Sequence, residues 1–137
     1  MENIEKFIGI KHGYAGCSFD KCDCFGLVKL FYKEHGWKQI FDDGQPYPEE
    51  HEYALPKFWR RLYEYMLHNF TQVGYDDLAF GDVVIFEINR CIHLGIYLEY
   101  GKLLAMEVPA IDGESESTIY HRNMWTKCFK YGFRRKP

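Results

Sequence analysis

Apolar residues in this chain repeat at helical spacing up to about residue 69 and at strand spacing from about residue 80. That change of period restricts the fold to helices followed by a sheet, an α+β arrangement. Cys24, Leu27, Val28 and Phe31 fall at i, i+3, i+4 and i+7, one stripe of an amphipathic helix, with Lys29, Lys33 and Glu34 on the other side. Asp23 offers an N-cap oxygen and Gly36 a C-terminal stop. A second helix is expected over residues 56–69, with Pro56 in its first turn and Phe58, Trp59, Leu62, Tyr65 and Met66 on its apolar side. A short helix over 3–8 would bury Ile4, Phe7 and Ile8 and stop at Gly9. Residues 9–21 and 41–50 read as loops, the second turn-rich through Asp42, Asp43, Gly44, Pro46 and Pro48.

In the later part, Val83-Val84-Ile85-Phe86 reads as a buried strand. Residues 92–99 alternate, with Leu94, Ile96 and Leu98 on one face and His93, Gly95 and Tyr97 on the other. A turn at Tyr100-Gly101 leads to a strand over 103–108. After a loop at 109–117 come strands at 118–120 and 128–133. The order describes an antiparallel meander.

One domain over residues 1–137 suffices for this length, which is long enough to bury a core. A net charge of -3 gives no footprint for a nucleic-acid partner, and the basic tail Arg134, Arg135 and Lys136 reads as a solvated end. No apolar run is long enough to cross a bilayer. The start, Met1-Glu2-Asn3-Ile4-Glu5, carries acids and no apolar stretch, so no secretory signal is expected and synthesis is expected in the cytoplasm. The five cysteines are then expected as reduced thiols, with at least one available for chemistry. No cofactor is called for.

A thiol in the first turn of a helix meets unpaired N–H groups and the positive end of the macrodipole, which favour thiolate. Cys24 has that placement, though it also starts the apolar stripe as a core cysteine would. Of six histidines, His93 is the best partner, on a strand face that Gly95 leaves open. His12 lies in the glycine-bearing loop that leads to Cys24, whereas His35, His51, His68 and His121 fall at helix ends or in polar loops. Cys22, Cys24, Cys91 and His93 form two pairs with one-residue spacing. That is tighter than zinc knuckles use, so no metal is expected.

The string CDCFGLVKLFY, residues 22–32, resembles the nucleophile segment of the NlpC-type cell-wall cysteine peptidases, which are papain-like. Residues 81–86 resemble that family's Gly-Asp strand, HLGIYLEYGK at 93–102 its His-x-Gly-Ile-Tyr strand and turn, and Tyr131-Gly132-Phe133-Arg134 its last strand. The likeness extends to the short versions of phage tails and gene-transfer particles, with Cys-Asp-Cys and a long aromatic insertion, here 36–79. The resemblance implies hydrolysis of peptidoglycan stem peptides between D-glutamate and a diamino acid. Cys24 would be the nucleophile and His93 the proton shuttle. Phage tail-tip or hub proteins would be partners, the virion the destination, and membrane insertion is not implied.

Two positions depart from the family pattern. The residue that orients the histidine lies twelve places beyond it, and here that place holds Ala105. Glu107 shares its strand face, and a three-residue turn at 99–101 with Gly101 in the left-handed region would set Glu107 opposite His93. Upstream, where the family has a Gly-x-Pro-Tyr segment, this chain reads Gly9-Ile10-Lys11-His12-Gly13-Tyr14. His12, Tyr14 and Asp23 are therefore the candidates for oxyanion or substrate contacts, beside the backbone N–H of Cys24. Ala105 also supports a rival reading, a structural plug or adaptor of the tail tip that keeps the fold without the reaction.

Overall fold

The computed structural model describes residues 3–38 and 43–137. The expectations for Met1, Glu2, Phe41 and Asp42 lie outside the described residues. Among the described residues, three α-helices pack with a six-stranded antiparallel sheet, the α+β architecture expected. The helices are α1 (Cys24–Glu34), α2 (Pro56–Asn69) and α3 (Arg122–Trp125). The strands are β1 (Phe70–Val73), β2 (Val83–Ile88), β3 (Cys91–Tyr97), β4 (Leu103–Met106), β5 (Ser117–Tyr120) and β6 (Phe129–Arg135), ordered β1-β6-β2-β3-β4-β5 across the sheet. No helix among the described residues is long and apolar enough to cross a membrane.

Alternation along each strand divides the core in two. Val83, Ile85, Leu94, Ile96 and Leu104 face α1 and α2, which meet them with Leu27, Val28, Phe31, Phe58, Leu62 and Met66. Phe25 of α1 and Phe58 of α2 stack edge to face, with ring centroids 5.1 Å apart. On the opposite face Val84, Phe86, Leu103, Ala105 and Tyr120 pack with Trp125, whose indole donates to the Gly101 carbonyl at 2.9 Å.

Three elements differ from expectation. Residues 3–8 form only a 3-10 turn over Glu5–Phe7. Phe7 is buried, but Ile8 sits in extended backbone after it and is 41% exposed. A single tight turn has no i, i+4 face on which to bury both ends. Strand β1 begins directly where α2 ends, with no Gly or Pro to mark the change, and α3 is one turn too short to show a period. The stretch from Gly9 to Lys21 is stitched rather than loose: Lys11 bridges Glu116, and both His12 and Cys17 bridge Cys22.

That stitching fixes where α1 begins. The Gly16 carbonyl accepts from Asp23 N–H at 3.1 Å and lies over Gly26, where an added Cβ would come within 1.6 Å of it. Only glycine permits that approach. Gly26→Ala should therefore cost more than about 3 kcal/mol in urea-induced unfolding. A loss below about 1 kcal/mol would show that the loop can simply move off the helix.

Candidate active site

Cys24 is the first residue of α1, and Asp23 caps it as expected, accepting from Gly26 N–H at 2.7 Å. The Asp23 carboxylate is buried and also takes the Ala15 N–H at 2.8 Å and the Tyr47 hydroxyl. One side chain thus joins the helix, the loop before it and the segment after residue 43. Its place among the candidate substrate contacts has a structural cost, since its oxygens already hold these donors.

Cys24 lines a cleft of about 300 Å3 together with His12, Tyr14, Asp23, Glu50, His51, Cys91, Ile92, His93, Met106 and Ala110. Five of the six residues singled out in the sequence, Cys24, His93, His12, Tyr14 and Asp23, meet here. Glu107 is not among the lining residues. Glu50, His51 and Ala110 had no sequence signal as wall residues, because a 3-10 helix and a loop distant in sequence bring them in. Among the described residues no three His, Cys, Asp or Glu side chains gather as a metal-binding set.

The imidazole of His93 leaves β3 on the face away from Leu94. Its neighbour across the sheet is Phe86, with ring centroids 5.5 Å apart. Its Nε2 is buried and has no hydrogen-bond partner, so no bond joins it to the Cys24 sulfur. Burial holds its pKa down at about 4. The expected opening beside Gly95 is filled: a Cβ there would lie 2.9 Å from the Leu103 side chain and 3.1 Å from that of Ala105.

The β3–β4 hairpin closes as a three-residue turn, with Leu98 N–H donating to the Lys102 carbonyl at 2.9 Å and Gly101 at φ 80°. Gly95 pairs with Ala105 and Ile96 with Leu104, so the same register carried two residues further sets Glu107 across from His93. The side chain does not follow the register. Glu107 is exposed, lies beyond the last residue of β4, and accepts the Glu116 N–H at 2.8 Å. The backbone amide just before β5, β4's other neighbour, has captured the carboxylate.

The surroundings of Cys24 oppose the thiolate. Burial pushes its pKa up to about 12, aided by the Asp23 carboxylate, while the amides of Leu94, Phe25 and Cys24 itself pull the other way. The helix start therefore acts in the expected direction and is outweighed. Tyr14 sits beside Cys24 with its hydroxyl donating to the Pro48 carbonyl at 2.5 Å. His12 is tied through Nδ1 to Asp112 Oδ1, also at 2.5 Å. Asp112 escaped the sequence reading because nothing local links positions a hundred residues apart.

The pattern of the NlpC/P60 family matches residues 9–133. No curated protein matches the chain. Among solved structures it is similar to NlpC1 from Trichomonas vaginalis, with a TM-score of 0.61, 16% identity, 93% of this chain covered and 39% of that one. It is also similar to a lipoprotein-like NLP/P60 family protein of Staphylococcus aureus, with a TM-score of 0.56, 17% identity, and 96% and 38% coverage. The chain thus spans about two-fifths of each neighbour's length.

Two pH measurements follow from this electrostatic setting. Alkylation of Cys24 by iodoacetamide, followed by peptide mass spectrometry, should climb about tenfold per pH unit through neutrality. A plateau below pH 7 would reveal a thiolate–imidazolium pair instead. His93, with its pKa lowered to about 4, leaves the folded state short of a proton relative to the unfolded chain between about pH 6.5 and 4. Stability should fall as pH drops through that window, by at most roughly 3 kcal/mol, and His93→Gln should flatten the slope. An unchanged acid slope in that variant would remove His93 as its source.

Proposed function

The chain belongs to the NlpC/P60 family, and from that premise we propose that it is a cysteine peptidase or amidase of peptidoglycan stem peptides. The bond cut is that between D-glutamate and a diamino acid. The observation behind the reading is that Cys24, at the first turn of α1, shares one cleft with His93 of β3. Cys24 sulfur attacks the carbonyl carbon, and the backbone N–H of Cys24 faces the developing oxyanion. His93 takes the thiol proton and returns it to the leaving amine. Tyr14 and Asp23 shape the wall through the bonds already described. Glu107 serves as orienting residue only if its carboxylate leaves the Glu116 amide and turns to His93. The Cys-Asp-Cys string and the aromatic insertion over 36–79 support a place in a phage tail tip, with hub proteins as partners and the virion as destination.

A second reading rests on the resting electrostatics. Burial raises the thiol and lowers the imidazole, so both shifts oppose proton transfer from Cys24 to His93 in the resting cleft. With Ala105 in the orienting place, that favours a structural plug or adaptor of the tail tip with the same fold. Purified muropeptides incubated with the wild type, Cys24→Ala and His93→Ala, then analysed by mass spectrometry, separate the two. The hydrolase reading expects stem-peptide fragments from the wild type and at least about a hundredfold fewer from either variant. Folded wild type that releases no fragment would favour the structural subunit.

A further inference from the structure

The cleft contains three imidazoles, those of His12, His51 and His93, and among the described residues His12 is the one held by a carboxylate. His12 Nδ1 lies 2.5 Å from Asp112 Oδ1. The backbone clasps the same residue from both sides: His12 N–H donates to the Ser115 carbonyl at 2.8 Å, and Gly113 N–H to the His12 carbonyl at 2.9 Å. The loop that brings Asp112 is itself tied, since Ser115 Oγ accepts the Ile111 N–H at 2.8 Å and donates to the Pro109 carbonyl at 2.6 Å. A carboxylate on Nδ1 keeps the proton of the neutral ring there and leaves a lone pair on Nε2. That Nε2 has no hydrogen-bond partner among the described residues. The side chain keeps 11% of its surface exposed, in the wall of the cleft.

His93 shares the cleft and lies beside Leu94, whose amide faces the Cys24 sulfur, but its Nε2 is buried with no hydrogen-bond partner. Hydrolysis through a thiol removes protons from two different groups, the thiol first and a water second. The second arrives from solvent, and His12 keeps an exposed edge in the wall of the cleft.

Resting on the reading of Cys24 as the nucleophile of a hydrolase, we infer that His12, positioned by Asp112, is the base that activates water for release of the acyl group. As the water oxygen bonds to the thioester carbonyl carbon, Nε2 takes one of its protons. The C–S bond then breaks, sulfur leaves with the electron pair and recovers that proton from the imidazolium, and the acid product departs. Asp112 is a positioning residue and touches neither water nor acyl group.

The test uses p-nitrophenyl acetate with the full chain. The burst of p-nitrophenolate reports acetylation of Cys24, with Cys24→Ala subtracting the other thiols, and the steady phase reports loss of the acetyl group. His12→Gln and Asp112→Ala should still give a burst of about one p-nitrophenolate per Cys24, with circular dichroism checking the fold. The steady rate should drop roughly a hundredfold and tenfold respectively, with acetyl-Cys24 accumulating in intact-mass spectra. Asp112→Asn, whose carbonyl still accepts from Nδ1, should recover part of the loss. A normal steady rate in all three variants would make the pair structural. Loss of the burst in a folded His12→Gln would make His12 the base for the thiol instead, which equally overturns the assignment. A wild type with no burst above Cys24→Ala would sink the hydrolase reading itself, and this inference with it.

Discussion

The buried carboxylate of Asp23 is the contact on which the site depends. It receives the Gly26 amide at the start of α1, the Ala15 amide of the preceding loop and the Tyr47 hydroxyl from the segment between α1 and α2. A buried carboxylate is tolerated only when its oxygens are filled, so the fold has to deliver these donors together. Where they meet, the position of Cys24 is set, and with it the floor of the cleft. Gly26 makes the arrangement possible by leaving room for the Gly16 carbonyl.

The same carboxylate works against the chemistry that the position invites. Charge on Asp23 opposes charge on the neighbouring sulfur, and burial adds to that opposition. Three amides favour the thiolate and do not outweigh the two opposing effects. His93 is held neutral by the same low-dielectric surroundings. Burial thus disfavours charge on both partners in the resting cleft.

Elements with a full period of apolar residues were legible. Helix α1 runs as its stripe of Leu27, Val28 and Phe31 requires, and α2 spans the residues that Pro56 and its apolar side indicate. The faces of β3 were readable because strand side chains alternate. Elements set by context were not: β1 exists because β6 offers it an edge, and α3 because Trp125 has a pocket beneath Gly101. At the site, Cys24, His93 and His12 could be picked out, since each lies near a turn, cap or strand pattern. Asp112 and Glu50 could not, as no local spacing relates them to the cysteine.

The sequence by itself determined that Cys24 heads a capped helix and that His93 stands on the strand face away from Leu94, because both follow from short-range periodicity and capping. Tertiary structure alone decided how the second side of each imidazole is occupied. Glu107 reaches the register opposite His93 and then gives its carboxylate to Glu116, a nearer backbone donor. Asp112 is carried by a folded loop onto His12. Which carboxylate meets which ring depends on long-range packing and on competition among donors within reach, and neither is written in local spacing.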